Sequence, residues 1–280
     1  MSSRFRSVGV VVLLVASAWA ADAPSSSKLR VCADPNNLPF SNEKQEGFEN
    51  KLAEMVAKDL GREVEYTWFA QRRGFFRMTL KSQQCDVVMG VPVESERALT
   101  TDPYYRSTYV FVTRRDRNLH IESISDPRLR RLKVGVQIIG DDYNNSPPAE
   151  SLAKRGAVNN IVGYTIYGNY LTPNPTARIV EAVAKGDIDV AIVWGPQAGY
   201  FATQQSVPLE ITTVHPHRDG PLPFTFEISL GVRRDDPSFR RELDGILTKH
   251  KADIQRLLAD YHVPVMTQPD PRRHRSEEDR

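Results

Sequence analysis

LRVCADPNNLPFSNEKQEGFENKLAEMVAKDL, residues 29–60, reads as a strand, a turn-rich loop and a helix in direct succession. Leu29 to Ala33 is a short apolar run, the pattern of a buried strand. Pro35 and Pro39 punctuate the segment that follows. From Phe48 onward, Leu52, Met55, Val56 and Leu60 share one helical face, and Gly61 closes the helix. Val64, Tyr66 and Trp68 then alternate as in a second strand. This strand–helix–strand unit predicts an α/β fold.

The alternation continues outward. Phe75 to Lys81 is expected as a short helix, Asp86 to Val91 as a buried strand and Tyr109 to Thr113 as extended chain. A second series follows, with strands at Leu132 to Ile139, Asn160 to Tyr167, Asp189 to Trp194 and Leu209 to Val214. Helices between them open at Ser146-Pro147-Pro148, with Ser146 as cap, at Asn174-Pro175 and at Pro196. Phe224 to Val232 alternates, and two amphipathic helices follow, the first opened by Asp236-Pro237. Two successive series imply two lobes, each a mainly parallel sheet flanked by helices, around a central cleft. The last two helices have no sheet of their own and are expected back on the first lobe. The first lobe is then 28–112 plus 228–262 and the second 113–227. Crossings near Thr113 and Glu227 form a two-strand hinge, and 263–280 form a flexible tail.

The chain has 280 residues, 37 Lys+Arg and 35 Asp+Glu, for a net charge of +2. Residues 1–20 combine Arg4 and Arg6, an apolar run and Ala18-Trp19-Ala20, the pattern of a secretory signal peptide. They hold both surplus charges, so the remainder is formally neutral. Balanced charge argues against a nucleic-acid partner. The apolar run is shorter than the ~20 residues a membrane span needs. Export places the protein in an oxidising compartment, the periplasm. A disulfide between Cys32 and Cys85 is feasible if their strands are neighbours, because bridged Cα atoms lie within about 7 Å. Two free thiols are the alternative.

No dinucleotide, phosphate-loop, zinc-protease or nucleophile-elbow motif is present. His215-x-His217 with Asp219 is the nearest thing to a metal cluster, but H-x-H without ordered further ligands is a weak signal and the segment reads as a plain loop. No metal ligand set or bound cofactor is expected. In open parallel sheets, ligands sit beyond the carboxyl ends of the strands. That rule selects Asp34 and Phe40, then Trp68, Gln71 and Arg72, then Arg97 and Tyr104, and from the second lobe Asp141 and Trp194. Phe40 and Trp194 offer flat faces to a ligand or close the lobe cores. Arg72 and Arg97 grip an anion or stand as solvated and paired surface charge.

Almost all of residues 28–262 resemble a type II periplasmic solute-binding protein. The likeness is carried by Gly47-Phe48-Glu49, Cys85-Asp86-Val87-Val88-Met89-Gly90, Asp102-Pro103-Tyr104-Tyr105 and Gly186-Asp187-Ile188-Asp189-Val190. VCADPNNLPFSNEKQEGFENKLAE, QRRGFFRMTL and PYYRSTYVFV resemble the narrower MxaJ/XoxJ type, which accompanies periplasmic quinoprotein methanol dehydrogenases. The resemblance implies a non-enzymatic accessory protein of a PQQ-dependent methanol or alcohol dehydrogenase, assisting its activation or maturation. PQQ and a metal ion then belong to the partner enzyme, and its cytochrome c is a further partner. Arg97 resembles the arginine that holds a ligand carboxylate in amino-acid-binding relatives, but its spacing to Asp102-Pro103 is shorter here. Trp194 stands where those relatives carry an ammonium-binding acid, and Gly140-Asp141-Asp142 replaces their hydroxyl-bearing loop. The alternatives are a solute receptor for an ABC importer, with a small-molecule ligand in the cleft, and a dehydratase-like enzyme using Asp34, Glu49 or Asp141.

Overall fold

A computed structural model describes residues 27–138, 145–165 and 170–267. The leader at 1–20, Asp141 and the tail from 268 lie outside the described residues. In the first series, β1 (Lys28–Ala33) leads through a small hairpin, β2 (Asn36–Asn37) and β3 (Ser41–Asn42), into α1 (Phe48–Asp59). β4 (Glu63–Trp68), α2 (Phe75–Met78), β5 (Val87–Pro92), β6 (Leu99–Thr100) and β7 (Tyr105–Arg114) complete it. The second series has β8 (Val134–Ile138), α3 (Pro147–Lys154), β9 (Ile161–Thr165), α4 (Arg178–Lys185), β10 (Val190–Trp194), α5 (Gly195–Ala202) and β11 (Leu209–Thr213). β12 (Arg218–Asp219) and β13 (Leu222–Pro223) form a hairpin before β14 (Thr225–Val232), α6 (Pro237–Lys249) and α7 (Lys251–Asp260).

The strands run in the order β4-β1-β5-β14-β7-β10-β8-β9. β1 pairs parallel with β4 and β5, and β8 pairs parallel with β9 and β10. β7 and β14 are the antiparallel strands that join the two halves, pairing at Tyr105↔Ile228 through Thr108↔Thr225. Glu227 lies in that crossing, opposite Arg106. Thr113 lies deeper in the second sheet, opposite Val190 and Glu210. β7 is therefore one long strand serving both sheets, which its apolar run from Tyr109 alone did not reveal.

Each half has its own core. Phe48, Leu52 and Val56 of α1 pack with Leu29, Val31, Met89 and Leu230 from the sheet. Phe239, Leu243, Ile246, Ile254 and Leu258 join that cluster, so α6 and α7 pack against the same core as α1 and β1. Full burial of side chains this size is worth roughly 1.5–3 kcal/mol each. In the second half, Ile179, Val180 and Val183 of α4 pack beneath Val110, Val112, Ala191 and Val193. α4 stops at Gly186, whose φ of 79° is the left-handed C-cap that favours glycine.

Local chemistry explains two departures. The Ser146 hydroxyl does not cap α3; it donates instead to the Gln137 carbonyl. The second helical position is Pro148, which has no N–H for a capping oxygen to meet. The segment from Val263, expected to be flexible, is packed at its start. Val263 is buried, Ser107 Oγ donates to the Pro264 carbonyl (2.8 Å), and Met266 N–H donates to the Arg106 carbonyl (2.8 Å). Gly195 and Gly199 on α5 make room for this crossing. A Cβ at Gly199 would meet the His262 carbonyl oxygen at 1.9 Å, and one at Gly195 would meet Pro264 at 2.7 Å.

His250 joins α6 to α7 with both ring nitrogens facing acids. Nδ1 lies 3.1 Å from Asp253 and Nε2 lies 3.1 Å from Asp59 at the end of α1. The hydrogen bond to Asp253, then that to Asp59, raises the imidazole pKa. A raised histidine pKa stabilises the fold fully below its unfolded value of about 6.5, and that contribution fades as pH rises through the folded value. The expected result is that H250Q lowers the melting temperature most in mildly acid buffer and little in alkaline buffer. A deficit independent of pH would contradict this.

Candidate functional site

The carboxyl end of β1 and the loop after it form the centre of the candidate site. Asp34 is buried, and its carboxylate accepts from Asn36 N–H (2.9 Å) and Gln71 N–H (2.7 Å). The Tyr170 phenol, from the second series, donates to the same Oδ2 at 3.4 Å. Burial raises the Asp34 pKa, and these hydrogen bonds hold it down in part. Asn37 Nδ2 donates to the Gln71 side chain at 3.0 Å. Its Oδ1 is buried with no hydrogen-bond partner among the described residues.

This loop also bridges the lobes. Asn36 Nδ2 donates to the Thr172 carbonyl (2.9 Å), and Asn174 N–H donates to Asn36 Oδ1 (3.2 Å). Thr176 Oγ1 donates to the Leu38 carbonyl at 2.9 Å. Leu38 is 5% exposed and belongs to the second lobe's core, beside Ala177, Val180 and Phe201. The ring of Tyr200 on α5 stacks on Tyr261 beyond α7, with centroids 5.7 Å apart. Side chains of this chain thus hold the two lobes together on one side of the cleft.

Beneath the cleft, Trp194 links both halves. Its ring meets Tyr109 (5.4 Å) and Phe226 (5.7 Å) edge-on and packs against both cores. Its backbone N–H donates to Gln137 Oε1 (2.9 Å), and Gln137 Nε2 donates to Gln197. Both glutamines are 2% exposed, so this is an interior polar network whose members must satisfy one another. Phe40 is buried, edge-on to Phe48 at 5.4 Å, and so closes the first core. Trp68 stacks on Tyr66 at 4.5 Å. The Tyr104 hydroxyl donates to the Met89 carbonyl (2.9 Å), and burial pushes its pKa well up.

The cationic candidates face outward. Arg72 and Arg97 are exposed. Arg97 N–H donates to Ser95 Oγ, and no ion pair of its guanidinium is found among the described residues. Asp34, Gln71 and Tyr170 are brought together; Phe40, Trp68, Tyr104 and Trp194 are mainly packing residues. Asp141 lies outside the described residues.

Glu49 is the most perturbed acid near the cleft. It sits in the first turn of α1, is 9% exposed, and burial pushes its pKa to about 8. A Cβ on Gly90 would lie 2.1 Å from Glu49 Oε1, so the carboxyl occupies the space above the end of β5. The residues missed in the sequence are Asn36, Leu38, Tyr170, Asn174 and Thr176. Their only sequence signal is turn chemistry, which marks loops without saying what they touch.

Cys32 and Cys85 form a disulfide between β1 and the chain entering β5, with Cα atoms 5.5 Å apart. His215 and His217 have ring centroids 4.7 Å apart, but Asp219 is engaged by Arg155 and Ser151. Among the described residues, no group of three or more His, Cys, Asp or Glu could hold a metal ion. No described helix is long and apolar enough to cross a membrane. Two surface hollows lie away from the cleft. One, of about 590 Å³, sits at the amino ends of β1, β4 and β5 against α6, and one of about 530 Å³ lies between α1 and α7. Both are rimmed by ion-paired side chains such as Arg30–Asp86 and His250–Asp59.

Comparison with known proteins gives a consistent picture. The family model of bacterial extracellular solute-binding proteins, family 3, matches residues 29–263. Protein MoxJ of Methylorubrum extorquens is 34% identical over 256 residues, covering 87% of this chain and 83% of that protein. Protein MoxJ of Paracoccus denitrificans is 31% identical over 274 residues, covering 92% and 95%. The crystal structure of the periplasmic binding protein XoxJ from Methylobacterium extorquens AM1 superposes with a TM-score of 0.70 at 36% identity. That match covers 86% of this chain and all of the other.

Proposed function

The chain belongs to the bacterial extracellular solute-binding proteins, family 3, and on that basis we propose that it is a non-enzymatic periplasmic accessory protein of a PQQ-dependent methanol or alcohol dehydrogenase. Its role is to bind that enzyme and assist its activation or maturation. Relatedness to MoxJ and XoxJ over nearly the whole chain points to this class of partner. The observation that carries the reading is the bridged cleft. Asn36 and Leu38 join the lobes directly, so closure needs no solute to supply the contacts. Trp194 and Phe40, which offered faces to a ligand, are spent on packing. PQQ, its metal ion and electron transfer to a cytochrome c remain with the partner. In this reading the two lobes, 28–112 plus 228–262 and 113–227, move about the crossing of β7 and β14 as hinge.

The test is co-purification with the dehydrogenase of the same organism, together with its activity and PQQ content with and without this protein. Stable association with a change in activity or cofactor loading is expected; the absence of both would overturn the reading. The two-lobe fold favours one rival, a solute receptor for an importer. A thermal-shift screen of small solutes addresses it, since a ligand at 100 times its Kd stabilises by about 2.7 kcal/mol. A hit abolished by replacing Asp34 or Arg97 would favour the receptor.

A further inference from the structure

Of the six exposed large apolar side chains among the described residues, Tyr170 and Leu171 fall at the mouth where the lobes meet, and Met78 ends the short helix that follows Gln71 and Arg72; Leu171 is 97% exposed. Hydrogen bonds place Tyr170 against the start of the 71–78 segment that ends in Met78. Tyr170 and Gln71 share one oxygen of Asp34, and the Arg72 charge reaches the Tyr170 phenol. One turn further on, Gly74 lies beside the side chains of Arg77 and Met78.

The same rim is strongly segregated in charge. From Tyr66 to Cys85 the sequence holds Arg72, Arg73, Arg77 and Lys81 and not one acid. From Ser151 to Val180 there is again no Asp or Glu, although the whole chain carries 35. Asp34, the acid at the junction, is buried beneath the patch and hydrogen-bonded inward. The exposed rim is therefore cationic and apolar on an otherwise balanced surface.

We infer that Arg72, Arg77 and Met78 of the first lobe, with Tyr170 and Leu171 of the second, form one docking surface for an acidic protein face that has an apolar recess for Leu171. The inference rests on the accessory reading above and names the contact surface for that partner. Charge complementarity steers the encounter, and an exposed leucine beside an aromatic supplies the anchor. A protein face fits better than a bilayer or a nucleic acid. The bridging contacts hold the loop after β1 against the 172–176 segment beside Leu171, a rigid two-lobe arrangement that a fluid lipid surface does not require. The Tyr170 ring is tethered through its hydroxyl to Asp34 rather than free to stack on bases. Because the surface draws on both lobes, it is complete only while Asn36 and Leu38 bridge them.

The experiment measures binding of the full-length secreted protein to the purified dehydrogenase at low and moderate salt. The variants are R72E/R77E and L171A, with R131E as a charge reversal elsewhere. We expect about tenfold or greater weakening for each rim variant, a flatter salt dependence for R72E/R77E, and wild-type affinity for R131E. All are exposed positions, and matching melting curves check that each variant is folded. Wild-type binding that both rim variants leave unchanged overturns the docking surface and spares the accessory reading. No wild-type binding overturns both. Equal, Leu171-dependent binding to anionic lipid vesicles or to single-stranded DNA also overturns the assignment to a protein face.

Discussion

Replacing both Cys32 and Cys85 by alanine is expected to lower the unfolding free energy by about 4 kcal/mol. The bridge closes a segment of 53 residues, and the chain entropy released by opening a loop of that length amounts to about 4 kcal/mol at room temperature. For a protein of this size that corresponds to a melting temperature lower by roughly 10 °C. The sulfurs lie among Phe75, Leu80, Val88, Val91 and Ala98, with both cysteines nearly inaccessible to solvent. A thiol reductant therefore cannot reach the bridge in the native state and should act only during unfolding. Urea titrations of wild type and C32A/C85A under oxidising conditions check the stability, and coincident midpoints would refute it. Reductant added to the folded protein should leave the near-ultraviolet spectrum intact for hours at a temperature well below melting.

The second large effect concerns Glu49. Its pKa is about 8 in the fold because burial disfavours the charged form, against about 4.3 in an unfolded chain. An acid with a raised folded pKa keeps its proton in the native state after the unfolded chain has lost it. Stability therefore falls as pH rises from about 4.5 toward 8. At pH 7 this penalty is on the order of 3 kcal/mol, and E49Q removes it because its amide is neutral at every pH. The variant should be more stable than wild type at pH 7–8 and close to it near pH 4.5. His250 also weakens the fold as pH rises, so the informative quantity is the difference between wild type and E49Q at each pH. A difference that stays flat from pH 5 to 8 would show that Glu49 is not held neutral. The space above Gly90 makes G90A a useful companion, since its Cβ would meet the same carboxyl oxygen at 2.1 Å and should destabilise the first lobe.

Neither effect was legible in full. The pairing of Cys32 with Cys85 depended on whether β1 and β5 were neighbours, a question of strand order. The sequence showed that both cysteines lay at strands; the register Val31↔Val87 and Cys32↔Val88 brought them within reach. Glu49 stood in a familiar helix opening, Gly47-Phe48-Glu49, but nothing in its neighbours in sequence marked it as buried. Its environment comes from Gly90 and from Tyr104 and Tyr105, all distant along the chain.

The elements were legible because their causes are local. Apolar residues at helical or alternating spacing, Gly61 and Gly186 at helix ends, and Asp236-Pro237 at a helix start all act over a few residues. The Asp236 cap is realised, with Oδ1 accepting from Phe239 N–H at 3.1 Å. Family membership followed from the same continuous strings. The cleft was decided elsewhere. Asn36 meets Thr172 and Leu38 meets Thr176 across separations of 136 and 138 residues. Such contacts arise only once two independently packed lobes are placed side by side. The sequence by itself therefore determined the α/β two-lobe architecture and the kind of protein this is. Only the tertiary structure decided that Asp34 binds the loop's own amides, that Leu38 belongs to the opposite core, and that the cationic and apolar rim spans both lobes. Local periodicity carries no information about which loop faces which, whereas long-range packing consists of nothing else.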